Sequence, residues 1–159
     1  MAKPGKTVSA SRRKAGRSAA RALAEHLHRV GGKKRVTTKK AQLKYLPWSG
    51  VELENLNPLL QRQLVVGQNI MLARVLLKKG CIVPLHSHHN EQITYILEGA
   101  LKFWIDGKEI VVNAGEVLTI PPHMPHKAEA LMDTVDLDVF NPPRADWLNK
   151  TDQYLRGGK

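Results

Sequence analysis

Residues 80–99 read GCIVPLHSHHNEQITYILEG, and the fold turns on how that stretch is parsed. Ile82 to His86 and Gln92 to Leu97 are short runs rich in apolar residues, and each reads as a strand. Gly80 and Gly99 punctuate the two ends, and the polar residues between His86 and Gln92 mark a corner. His86 and His88 stand two positions apart, so on an extended chain both imidazoles project from one face, and Gln92 shares their parity.

The strand reading extends in both directions. After Lys44, short apolar runs broken by Gly, Pro, Asn and Asp recur at intervals of roughly ten residues, the pattern of an all-β sandwich or barrel. Strands are predicted over 61–66, 70–78, 82–86, 92–97, 100–105, 109–112, 117–120, 127–131 and 134–140. Asp106-Gly107 between two of these runs is a turn dipeptide and predicts a hairpin over 100–112. Pro142-Pro143 ends the last strand, and 144–149 adds a helical turn outside the barrel.

The formal charge of +11 divides unevenly along the chain. Residues 1–44 hold 14 Lys and Arg against one acid, Glu25, a balance of +13, whereas 45–159 hold 11 against 13, a balance of −2. The basicity belongs to an N-terminal arm and says nothing about the body. The expected organisation is therefore a largely disordered basic arm over 1–44, a barrel over 45–149 and a tail over 150–159. Within the arm, Ala19, Leu23, Leu27 and Val30 recur at helical spacing before Gly31-Gly32, which predicts a short basic helix. Such an arm is open to non-specific contact with nucleic acid or an anionic surface, or to a targeting role. No apolar run approaches the ~20 residues of a membrane helix. The lone Cys81 rules out an internal disulfide and fits a cytoplasmic location.

His86, His88 and Gln92 are joined by His126, far off in sequence at the start of a later strand, which barrel closure would bring to the same place. Imidazoles with one further oxygen ligand suit a single divalent transition ion, Ni, Zn, Fe, Mn or Co. Here the chain resembles the cupin superfamily. Its first motif, Gly, His-x-His, an acid and Gly, is matched by Gly80, His86, His88 and Gly99, and its second by Gly115, Pro121 and His126 in GEVLTIPPHMPHKAEA. The resemblance implies a double-stranded β-helix, or jelly-roll barrel, and a homodimer to which the apolar run 70–77 contributes. Three positions depart from the pattern: Gln92 replaces Glu, His123 replaces Gly and Ala130 replaces Asn. A Gln carbonyl ligates but does not titrate, so a metal here keeps its full charge and favours an anionic substrate. His89 and His123 read as rim residues, and Glu91 points away from Gln92.

The last strand, 134–140, places Val135, Leu137 and Val139 on one face and Asp136, Asp138 and Phe140 on the other. Phe140 on the acidic face argues that this face lines a cavity rather than meeting water. The stretch DVFNPPRADWL, together with the histidine-bearing runs, resembles the pectin-degradation branch of the cupins, which turns 4,5-unsaturated uronates into linear keto-acids. That resemblance implies Asp138 as the catalytic proton carrier, with Phe140 and Arg144 binding the small anionic substrate, in a metal-dependent isomerase or lyase. The competing expectations are a non-catalytic cupin that binds or senses a small ligand, and an iron-dependent dioxygenase, which Gln92 disfavours.

Overall fold

The computed structural model describes residues 42–157. Ten strands follow one another: β1 (Glu54–Asn57), β2 (Leu60–Val66), β3 (Met71–Leu77), β4 (Ile82–His86), β5 (Glu91–Glu98), β6 (Ala100–Ile105), β7 (Lys108–Asn113), β8 (Val117–Ile120), β9 (His126–Ala130) and β10 (Thr134–Asn141). They form a six-stranded sheet ordered β1-β2-β3-β10-β5-β8 and a four-stranded sheet ordered β4-β9-β6-β7, with every pairing antiparallel. The double-sheet jelly roll expected from the sequence is the architecture found. The nine predicted strands appear with ends shifted by a residue or two, and β1 is an additional edge strand. The predicted basic helix lies outside the described residues. Among them, no helix is long and apolar enough to cross a membrane.

Alternation decides which side chains the sheets enclose. Met71, Ala73, Val75 and Leu77 of β3 face inward, and Leu101, Phe103 and Ile105 of β6 meet them from the other sheet. On β10 the inward face is the acidic one, with Thr134, Asp136, Asp138 and Phe140 buried and the three aliphatics half-buried outside. A simple amphipathic reading would have turned the strand over. Register settles it, because Asp138 lies opposite Thr94 and Phe140 opposite Gln92, which sets the acid among polar neighbours on β5.

Two backbone positions fit their residues closely. Asp106 and Gly107 adopt φ of 51° and 69°, so the β6–β7 hairpin closes as its turn dipeptide predicted. Gly99 has φ 84°, and a Cβ there would stand 2.4 Å from the Asp133 carbonyl, so only glycine lets β5 pass to β6.

Beyond β10 the chain forms a single helical turn, α1 (Ala145–Leu148), and a 3-10 turn at Gln153–Leu155. The sequence left 150–159 as a tail, but 150–157 pack back onto the barrel. Leu155 and Asp152 are buried, Asn57 Nδ2 donates to the Leu155 carbonyl at 2.8 Å, and Arg62 Nη1 bonds Asp152 Oδ2 at 2.6 Å.

Candidate metal centre

His86 ends β4 and His126 begins β9, and the two are direct cross-strand partners. Barrel closure thus converts a long sequence separation into a contact, with ring centroids 4.2 Å apart. His88, in the corner before β5, completes the group, and one ring nitrogen from each histidine lies within 4.8 Å of the others. The corner is held by a 2.7 Å backbone bond from His123 N to the His88 carbonyl.

Each imidazole is oriented by its own local backbone. Nδ1 of His86, His88 and His126 lies 2.8, 3.0 and 2.8 Å from the carbonyls of Pro84, Asn90 and Met124 respectively. A carbonyl only accepts, so each Nδ1 carries the hydrogen and each Nε2 keeps its lone pair, the tautomer a metal ligand needs. Gln92 adds the fourth donor. Its Nε2 donates to Thr94 Oγ1 at 2.9 Å and Asp138 Oδ1 at 2.8 Å, which turns Oε1 to within 3.1 Å of His88 Nε2. Two acceptors facing at that distance call for a cation between them. Protonation of the ring is resisted: burial first, then Arg144 and His126, hold the His88 pKa down to about 4. Burial and the His126 ring push His86 down to about 3, and burial lowers His126. The donor set therefore fits a divalent ion.

Beside this group Asp138 is buried, accepting bonds from Gln92 and Thr94. Desolvation raises its carboxyl to about 6 against those two bonds and the Arg144 charge. Asp136, one inward position earlier, is pushed well up by burial and by the neighbouring Asp138 charge. Phe140 packs edge-on to His88 at 5.7 Å.

Arg144, which the resemblance implied as a substrate-binding residue, forks onto Asp146 of its own chain, with Nε and Nη2 at 2.9 and 2.7 Å. It is 1% exposed, so it forms part of the wall rather than an open gate at the mouth. His89, His123 and Glu91 are exposed, in keeping with rim positions.

Two residues at the site were missed by the sequence reading. Tyr154 stacks on His86 at 4.7 Å, and its hydroxyl oxygen accepts bonds from Arg144 Nη2 at 2.9 Å and Trp147 Nε1 at 3.4 Å. Nothing in the aperiodic stretch 150–159 signals this. Arg62 is wholly buried on β2, bonded to Glu54 and Asp152, with its guanidinium 4.5 Å from the Trp147 ring centroid. A charged residue at the inward parity of a predicted strand was the available clue. A cavity runs from His86 and His126 past Asp138, Asp136 and Arg144 to Arg62, with about 50 Å³ open to the centre of a water molecule. A single buried water needs about 10–15 Å³ on that measure, so the space takes several waters or part of a small ligand.

Fold and site together define a small jelly-roll protein whose barrel interior holds a clustered imidazole group above a largely apolar cavity that carries a few buried charged and polar side chains. The family model of the Cupin domain matches residues 73–140, and the chain belongs to the cupin superfamily, resembling its pectin-degradation branch. The pectin degradation protein KdgF of Dickeya dadantii is 28% identical over 105 residues, covering 64% of this chain and 91% of that one. An uncharacterized protein of Methanocaldococcus jannaschii, MJ1618, is 36% identical over 72 residues, a match that spans 45% of this chain and only 58% of that relative's length. Among solved structures, KdgF from a Halomonas species has a TM-score of 0.63 at 25% identity, covering 67% of this chain and 99% of that one. An RmlC-like cupin from Shewanella frigidimarina scores 0.63 at 26% identity, covering 69% and 99%.

Proposed function

We propose that this protein converts 4,5-unsaturated uronates to linear keto-uronates, with one divalent transition ion held by His86, His88, His126 and Gln92. The observation that carries the reading is Asp138: a buried carboxyl, placed by Gln92 and Thr94 beside three metal-ready imidazoles, with its pKa raised to about 6. A general acid–base works best when its pKa lies near the operating pH. The resemblance to the KdgF proteins of Dickeya dadantii and Halomonas points to the same chemistry.

The reaction is an isomerisation and needs no oxidant. The anomeric hydroxyl loses its proton, the bond between carbon 1 and the ring oxygen breaks, carbon 4 gains a proton, and the ring oxygen becomes the carbonyl at carbon 5. Asp138 takes the proton from oxygen and, as the acid, delivers one to carbon 4. Gln92 cannot share this work because an amide does not titrate. When bound, the ion supplies Lewis-acid polarisation of the substrate oxygens. Arg144, already oriented by Asp146, offers its remaining Nη1 to the substrate carboxylate, and Phe140 packs against the sugar ring.

The homodimer belongs to the same proposal. The outer face of the larger sheet carries Ile93, Tyr95, Leu97 and Val117 exposed beside Leu137 and Val139, an apolar surface of the kind that pairs copies of a barrel.

The test is an ultraviolet assay on unsaturated galacturonate, following loss of the conjugated double bond. Turnover should stop with chelator, return with a divalent ion, and be abolished in Asp138→Asn with metal content unchanged. A fully active Asp138→Asn protein would remove this residue from the mechanism. Absence of turnover with any metal would move the assignment to a small-anion-binding cupin.

A further inference from the structure

Four buried side-chain polar atoms among the described residues lack a hydrogen-bond partner, and three of them belong to residues lining the cavity beneath the imidazoles: Arg62 Nη2, Asp136 Oδ1 and Arg144 Nη1. Buried polar groups are paired in the great majority of cases, so three orphans around one cavity mark a place where something else completes the bonding. They are opposite in kind, two donors and an acceptor, yet none satisfies another.

Register places two of them on one rung of the larger sheet. Arg62 on β2 and Asp136 on β10 are both cross-strand partners of Val75 on the intervening β3. All three point inward from one rung of the sheet, and Val75 lines the floor of the same cavity. Arg62 has its Nε and Nη1 committed to Glu54 and Asp152, which leaves Nη2 as the free donor. In Asp136 it is Oδ1 that lacks a partner, which leaves it as the acceptor. A donor and an acceptor two strands apart, over an apolar floor, are the complement of a group that accepts and donates at one atom. A hydroxyl does so, whereas a carboxylate, which only accepts, does not.

We propose that Arg62 and Asp136 form a hydroxyl-reading subsite at the inner end of the cavity, selecting a polyhydroxylated acid whose carboxylate lies at the Arg144 and imidazole end. The inner contact stands on the geometry of β2, β3 and β10, while the placement of the carboxylate rests on the function proposed above. A site built to pair a hydroxyl rejects the analogue lacking it, because the buried donor and acceptor are then left bare.

The experiment is calorimetric titration of the zinc-loaded full chain with galactonate and with hexanoate, a linear acid of equal carbon number without hydroxyls; neither can turn over. Wild type should bind galactonate at least about tenfold more tightly than hexanoate. Asp136→Leu should erase or reverse that ratio, and Asp136→Asn, which keeps an acceptor oxygen, should preserve it. A wild-type protein that binds both acids equally, or prefers hexanoate, overturns the subsite whatever the variants do. So does an unchanged ratio in a folded Asp136→Leu protein with normal zinc content. Binding of neither acid fails the anionic-ligand reading of the whole site and the subsite with it, an outcome distinct from binding without discrimination.

Discussion

Replacing Asp152 by Asn should destabilise the protein more than any other single change to the C-terminal segment. Asp152 is 1% exposed and accepts from two guanidiniums, Arg62 Nη1 at 2.6 Å and Arg156 Nε at 2.8 Å. The two losses are unequal. Arg156 remains bonded to Glu54 at 2.6 Å and is partly exposed, so water compensates much of its share. Arg62 is completely buried, already has one unpartnered nitrogen, and would keep its bond to Glu54 and at best a neutral amide oxygen, leaving two guanidiniums to one carboxylate. Removing one member of a buried pair typically costs about 3–5 kcal/mol, a large part of the roughly 5–15 kcal/mol that holds a domain folded. Urea unfolding followed by tryptophan fluorescence should therefore show a midpoint lowered by that loss divided by the slope, with the slope unchanged. The segment carries Tyr154, so Asp152→Asn should also speed amide exchange at 153–156. A loss below about 1 kcal/mol with unaltered exchange would mean that the ion pairs do not anchor the segment, the behaviour of surface pairs.

Tyr154→Phe keeps the ring stacked on His86 but removes the hydroxyl that accepts from Arg144 and Trp147; turnover of the uronate should fall about tenfold or more, with zinc content and melting temperature unchanged, and undiminished turnover would exclude a positioning role. His123 sits at φ 64°, the left-handed region that explains the glycine in the cupin pattern. The left-handed penalty of about 1–2 kcal/mol, less the roughly 0.5–1 kcal/mol of extra freedom glycine loses, leaves His123→Gly more stable by about 0.5–1 kcal/mol in the same urea assay, and a destabilised variant would contradict this. In chelator-treated protein the three imidazoles have pKa values lowered by folding, so their contribution is full above about 6.5 and is lost as pH falls and the unfolded chain takes up protons that the native state refuses. Asp136 and Asp138, raised by folding, oppose this below pH 6. Three imidazoles outnumber two carboxyls, so stability should drop from pH 6 to pH 5, and a rise over that interval would reverse the assignment. Sedimentation should give a dimer that Leu137→Glu, on the outer face of β10, converts to monomer, and a wild-type monomer would discard the interface.

Much of the barrel was legible because strand periodicity is local. The apolar-rich run 92–97, the alternation in 134–140, the Asp106-Gly107 turn and the positions of Gly80, Gly99 and Gly115 are each decided within a few residues. The parity shared by His86, His88 and Gln92 is equally local, and the pattern around His126 was enough to expect it at the same place. The inward turn of β10 was harder. Its acids and aliphatics alternate with equal regularity, and only Phe140 hinted at the direction that register with β5 imposes.

Pairing and closure decided the rest. No sequence pattern sets Arg62 and Asp136 on the same rung beside Val75, or folds Tyr154 back onto His86. Arg144 illustrates the division most plainly: the resemblance implied only that it binds an anionic substrate, and its pairing with Asp146 at 2.7 Å depended on the way α1 folds back. The sequence alone determined which residue types face inward and at what period, since those follow from backbone geometry. Which inward residues meet was left to the tertiary structure, because contacts between distant strands depend on register and barrel closure, and these emerge only when the whole core packs at once.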